Sequence, residues 1–224
     1  MAPNEKAFNN IDGTPTMYIR GGSRQPATFS CTFGFYDSLV AWVRHLRAVS
    51  AAAGYAGLEF ITSAGAYVNK PGEHGAGTAF DLDEVQWAGG TICRPIGRDH
   101  ENGAAAVRRR YYAVEATTRT TFRWVLDANY NAAHQDHIHM DFGGMPPVLG
   151  TGATSDTFFV QALCNEFMGS GLAVDGAWGP LTQAAFDQSR QRLGTTTGNP
   201  HTDQGAYGQW LNAVSARGFT GQGF

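Results

Sequence analysis

Two short segments of this 224-residue chain concentrate imidazoles beside carboxylates: His74-Gly-Ala-Gly-Thr-Ala-Phe-Asp81 and His137-Ile-His139-Met-Asp141. Imidazole nitrogens and carboxylate oxygens are the donors that hold a catalytic zinc ion, which takes three protein ligands and leaves a fourth position for water. His74, Asp81 and His139 form the expected ligand set. Around Asp81 small or polar residues alternate with apolar ones, so an extended strand puts Ala79, Asp81 and Asp83 on one face and Phe80 and Leu82 towards a core. The second segment alternates in the same way, with His137, His139 and Asp141 opposite Ile138, Met140 and Phe142. Two such strands side by side converge on one point, and Gly75 and Gly77 allow a tight loop that folds His74 back towards Asp81.

Hydrolysis of a peptide at such a centre needs a group that takes and returns a proton, an effect worth typically ~10²–10⁴-fold. His137, two residues from a ligand on the same strand face, is the first candidate. Asp136 is the second: regular alternation turns it to the opposite face, although it stands at the strand entrance. His134 and Asp141 are candidates to receive the outer N–H of a ligand histidine.

Residues 72–81, followed by His137-Ile-His139, resemble the zinc D-Ala-D-Ala carboxypeptidases and their relatives among peptidoglycan endopeptidases and D-Ala-D-Ala dipeptidases. Their pattern is S-x-H-x-x-G-x-A-x-D and then H-x-H or E-x-x-H, and this chain has Gly72 at the serine position. The longer stretch 122–141 is similar to the bacterial extensin-like C-terminal domain, a branch of the same superfamily in which Cys31 also has a counterpart. The resemblance implies a zinc peptidase acting on the bacterial cell wall at a bond involving a D-amino acid. It places His74, Asp81 and His139 on the metal, with His137 assisting the water or stabilising the oxyanion. The superfamily often sets an arginine just upstream of the first motif to hold a substrate carboxylate, but residues 58–71 contain none. Lys70 and Tyr67 are the substrate-binding candidates there. A point-charge ammonium does not reproduce a bidentate guanidinium, which favours an endopeptidase over a carboxypeptidase or dipeptidase. The missing arginine also supports an alternative, a non-catalytic wall-binding protein with a degenerate metal site.

The elements that must position these residues read as an α+β fold, an antiparallel sheet with flanking helices, followed by a small three-helix domain. A core helix over 36–53 carries Leu39, Val43 and Leu46 on one side. A strand over 58–62, the strand with Asp81, a hairpin near Trp87 and Ile92, a helical stretch over 104–126 and the His-x-His strand follow. Trp87, Tyr67 and Tyr130 are candidates to line a groove. A Gly/Pro-rich linker over 143–155 divides residues 1–150 from 151–224. In the second part, Val174-Asp-Gly-Ala-Trp-Gly-Pro-Leu-Thr-Gln-Ala-Ala-Phe186 resembles a recurring peptidoglycan-binding domain, with Trp178 and Phe186 also readable simply as core. Such a module would tether the enzyme to an insoluble substrate. Its removal after Gly150 is expected to leave hydrolysis of a soluble peptide nearly intact.

Net charge of -3 argues against a nucleic-acid surface, and the run Arg108-Arg109-Arg110 reads as the solvated face of a helix. No apolar run is long enough to span a membrane, and the first residues lack the apolar core of a signal peptide. Action in the cell wall or periplasm then calls for another export route or for a mature form; delivery by a phage-type lysis system or an injection apparatus would fit, and a monomer is expected. Three cysteines permit one disulfide. Cys31 and Cys93, both in the first part, are the expected pair, and Cys164 reads as a small buried hydrophobe.

Overall fold

The computed structural model describes residues 5–142 and 147–224. The start of the expected linker, residues 143–146, and the first four residues of the stretch read for a leader lie outside the described residues.

Five short strands precede the first helix: β1 (Glu5–Phe8), β2 (Asn10–Ile11), β3 (Thr14–Tyr18), β4 (Gln25–Pro26) and β5 (Phe29–Thr32). Asp12 and Gly13 join β2 to β3 with φ of 49° and 80°, the left-handed pair that matches the twist of a two-residue hairpin. Asp12 also binds Arg44 and Arg47 of the helix that follows, at 2.8 Å each. That helix, α1 (Phe33–Ala52), starts where the Thr32 hydroxyl accepts from the Phe35 N–H at 3.3 Å. It buries Phe35, Leu39, Trp42, Val43 and Leu46, the stripe expected from its spacing.

Next come β6 (Leu58–Gly65), the single-turn α2 (Glu73–Ala76), β7 (Ala79–Trp87), β8 (Ile92–Cys93), α3 (Ala105–Arg119), β9 (Trp124–Leu126) and β10 (Ile138–Asp141). The large sheet runs β2-β3-β6-β7-β10-β9, with β4 beside β3 and β8 beside β7. All of its pairs are antiparallel except β3–β6, which is parallel. β1 and β5 form a separate ribbon. The chain ends in α4 (Thr154–Met168), α5 (Pro180–Leu193) and α6 (Gln204–Phe219). Helix α6 lies along α3 and α1, and one continuous apolar core runs from Phe35 and Trp42 through Tyr112 to Phe159, Phe186 and Trp210. Among the described residues, no helix is long and apolar enough to cross a membrane.

Four expectations are corrected. The helical stretch over 104–126 ends at Arg119, because the β-branched and aromatic run at Trp124 and Val125 instead pairs as β9 with β10. Cys31 and Cys93 do not form a disulfide: one lies on the β1–β5 ribbon and the other on β8 of the large sheet, and all three cysteines are free and buried. Burial pushes the thiols of Cys31 and Cys164 up to about 12, so both remain protonated. Trp87 lines no groove: it is fully buried, donates to the Ser50 hydroxyl at 3.0 Å and packs edge-on against Tyr55 and Phe219. The Arg108–Arg110 run is not a solvated face, since Arg108 pairs with Glu166 of α4, Arg109 donates to the Gly221 carbonyl and Arg110 to that of Ile92.

Candidate metal centre

The sheet register brings the two sequence segments together: in the β7–β10 pair, His139 stands directly opposite Asp81. The alternate residues Phe80, Leu82, Ile138 and Met140 are fully buried on the other face, which fixes the register, because a slip of one residue would drive the imidazole into the core. His139 Nδ1 and Asp81 Oδ1 lie 2.8 Å apart.

His74 arrives from α2, which two glycines make possible. A Cβ on Gly75 would stand 1.7 Å from the Lys70 carbonyl oxygen, so only glycine lets the loop after β6 pass this turn. Gly77 ends the turn at φ 73° with its N–H on the His74 carbonyl. The His74 Nδ1–H donates to the Ala66 carbonyl at 2.6 Å, leaving Nε2 turned to Asp81 at 3.1 Å. On the other side, Asp141 Oδ2 receives the Nε2–H of His139 at 3.3 Å, leaving Nδ1 inward. Each imidazole thus has its outer nitrogen held by an acceptor and its inner nitrogen turned to the Asp81 carboxylate; an acceptor behind a metal-binding histidine orients its ring in this way.

One donor atom from each of His74, Asp81 and His139 lies within 4.8 Å of the others. A tetrahedral ion with ~2.0–2.1 Å bonds separates its ligand atoms by ~3.3 Å, close to the 2.8 and 3.1 Å that His139 and His74 keep from Asp81. Burial works against the Asp81 carboxylate, but hydrogen bonds from His139 and His74 outweigh it and hold the group far below the usual carboxylate range. Burial likewise pulls the His139 imidazole down, and the carboxylates of Asp141 and Asp81 more than reverse this, raising it to about 9. The centre concentrates negative charge that a cation satisfies.

His137 lies just before β10, with Nε2 at 3.6 Å from Asp81 Oδ1 and Nδ1 at 2.9 Å from Asp136 Oδ1. Asp136 therefore sits behind His137. The His134 ring stands against those of His137 and His139, with centroids 5.2 and 5.8 Å away, and its Nδ1 meets Asn131 Oδ1 at 2.8 Å. Burial, helped by its histidine neighbours, lowers His134 to about 4, so this ring is neutral. It receives no N–H from His74 or His139, whose outer nitrogens are held by Ala66 and Asp141 instead. Tyr67 and Lys70 lie on the loop between β6 and α2; the Tyr67 N–H donates to the Ser30 carbonyl, and Lys70 forms no ion pair among the described residues.

One residue at the centre escaped the sequence reading. Arg20, just past β3, binds Asp83 and Asp136 at 2.6 and 2.7 Å. Its partners are 63 and 116 residues away along the chain, so no local spacing announces it.

Fold and site together define an α+β protein whose centre can hold a metal between two paired strands and a glycine-shaped turn. The chain matches the family model of the extensin-like protein C-terminus over residues 27–146, more than half its length, and belongs to that family. No curated protein and no solved structure matches it. The matched segment contains all three metal-competent donors, whereas Arg20 and helices α4–α6 fall outside it.

Proposed function

We propose that this protein is a zinc-dependent peptidase of bacterial peptidoglycan, cutting as an endopeptidase at a bond involving a D-amino acid, in the cell wall or periplasm. The observation that carries this reading is the pairing of His139 with Asp81 across β7–β10, with the His74 Nε2 turned onto the same carboxylate. Two nitrogens and one oxygen, three protein donors, suit a hydrolytic zinc ion better than a structural one, which is usually closed by four protein ligands. When bound there, zinc would polarise a peptide carbonyl and bring the pKa of a water towards ~7.

The chain's own residues do the rest. His137 presents Nε2 to the donor cluster from 3.6 Å, within reach of a water held beside the Asp81 carboxylate, and can accept its proton and return it to the departing amine. The neutral His134 ring, whose single N–H is given to Asn131 Oδ1, stands beside the centre without adding a cation to the site. Tyr67 and Lys70, on the loop whose Ala66 carbonyl orients His74, would contact the substrate. Helices α4–α6, with the turn at Asp175-Gly176, would provide the contact with the wall.

Digestion of purified sacculi and cross-linked muropeptides with added zinc, read by mass spectrometry, tests the proposal. New amine termini at a cross-link are the expected result. Their absence sinks the peptidase reading in favour of a wall-binding protein without catalysis, and faster turnover of free D-Ala-D-Ala than of wall fragments would replace it with a dipeptidase. Substituting His137→Ala should retain zinc and lower turnover ~10²–10⁴-fold, whereas His139→Ala should lose both.

A further inference from the structure

Arg20 reaches the centre from the N-terminal strands, outside the segment that matches the family. Its guanidinium lies between two carboxylates. Nε and Nη2 donate side by side to the two oxygens of Asp83, at 3.2 and 2.6 Å. Nη1 and Nη2 donate to the two oxygens of Asp136, at 2.7 and 3.1 Å. Four of the five N–H groups of an arginine are thereby used, two on each partner. Asp83 is fully buried on β7, two residues beyond the metal-competent Asp81, and anchors the guanidinium to the rigid centre of the sheet. Asp136, by contrast, is half exposed and stands in the irregular segment before β10, where no strand pairing holds it. Its Oδ1 also meets His137 Nδ1 at 2.9 Å.

We propose that Arg20 is a positioning residue: through Asp136 it holds His137 by its Nδ1, and so aims Nε2 at the metal-competent cluster. The inference rests on the peptidase reading for its catalytic consequence but not for its geometry. An exposed aspartate alone would wander among rotamers and would hold the imidazole only part of the time. Clamped by a two-pronged guanidinium that is itself tied to a buried strand carboxylate, Asp136 has one orientation. A lysine could not span both partners, because its ammonium is a point charge without a fork. The same count excludes Arg20 as the anchor for a substrate carboxylate, since both edges of its fork are already occupied. Asp136 is correspondingly an orienting group behind His137, not a second base, because both of its oxygens are engaged.

The test is the tautomer of His137, read from side-chain ¹⁵N shifts and long-range ¹H–¹⁵N correlations of the full chain, metal-free and zinc-loaded, at a pH where the ring is neutral. The expected wild-type state carries the proton on Nδ1. Asp136→Ala changes a half-exposed side chain and should leave the fold intact while shifting His137 towards the Nε2–H form. The double variant Arg20→Gln with Asp83→Asn removes the clamp without stranding a buried carboxylate and should shift the tautomer in the same direction. In both variants zinc content should stay at the wild-type level, and turnover of cross-linked muropeptides should show kcat reduced ~10–100-fold with KM little changed. A wild-type ring protonated on Nε2, or a tautomer unmoved in both variants, overturns the proposal. So does a rise in KM at unchanged kcat for the Arg20 variant, which would make Arg20 a substrate anchor. If wild type cuts no wall fragment yet the tautomer responds as expected, the peptidase reading falls and the positioning role stands. If it cuts but the tautomer is indifferent, the reverse holds.

Discussion

At the scale of single residues, Gly75 has the least freedom to change. A methyl group there meets a backbone carbonyl, that of Lys70, which cannot swing away as a flexible side chain would. Gly75→Ala is therefore expected to displace α2, lower stability by ~1–3 kcal/mol and weaken metal binding because His74 moves with the turn; thermal melts and zinc titration check both. Asp141→Asn tests the opposite side of the centre. The amide still fills the space behind His139 but removes the charge that receives the Nε2–H, and zinc affinity should fall ~10–100-fold with the fold unchanged. Asp81 and His139 were legible in the sequence because apolar residues flank each on alternate positions and reveal the strand face it occupies. The Ala66 carbonyl that orients His74 was not legible, since any residue type offers a carbonyl. Arg20 was hidden for a different reason, as its carboxylate partners become neighbours only when β3, β7 and the start of β10 come together.

Among the elements, those that bury a long stripe announced themselves. Helix α1 shows Leu39, Trp42, Val43 and Leu46 at helical spacing, and its limits of Phe33–Ala52 differ by a few residues from the expected 36–53 because Thr32 supplies the cap. The strands β1–β5 were missed: each has five residues or fewer, too few for alternation to stand out, although Asp12-Gly13 is a hairpin signal. Helix α3 was overrun at its end because Phe122 and Val125 continue an apolar pattern, although Phe122 packs against Phe35 and Trp42 from outside the helix and Val125 pairs in β9. The contact between α3 and α6 depends on a glycine that looks unfavourable in isolation. Gly218 sits near the end of α6 where a Cβ would come within 2.5 Å of the Arg109 carbonyl and 2.7 Å of the Ala113 methyl. Gly218→Ala should raise helix propensity yet destabilise the protein by ~1–3 kcal/mol, a sign reversal that denaturant unfolding will register. Further along α3, Arg119 is buried between Glu115 and Asp156, joining α3 to α4. Asp156→Ala leaves that guanidinium under-compensated in the core and should cost ~3–5 kcal/mol.

Across the whole molecule, the apolar core does not stop at Gly150. Ala113 and Tyr112 of α3 share one cluster with Phe159, Leu211 and Val214, and Ser215 donates to the Ala113 carbonyl. Truncation after Gly150 would strip the cover from α3, so the expectation of unimpaired hydrolysis by residues 1–150 gives way to one of aggregation or loss of cooperative unfolding, measurable by light scattering and near-UV circular dichroism. The acid sensitivity of the assembled protein follows from the same burial. His45, on the α1 side that meets α6, has its pKa lowered by burial, opposed by a hydrogen bond with Asn212, and its Nε2 is buried without a partner among the described residues. His100, beneath the Tyr111 ring at 5.5 Å, is also lowered by burial, with Glu101 opposing. In each case the unfolded chain, with imidazoles near 6.5, takes up a proton before the folded one does. Their contribution to stability is thus full above pH ~6.5 and is lost as pH falls from there through the lowered folded values. His139 has the opposite sign, but it is common to all variants and cancels in a difference. The melting temperature of wild type should therefore drop more between pH 7 and pH 5 than that of a His45→Gln, His100→Gln double variant. Parallel curves for the two proteins would show that neither imidazole is held neutral by the α1–α6 and α3 packing.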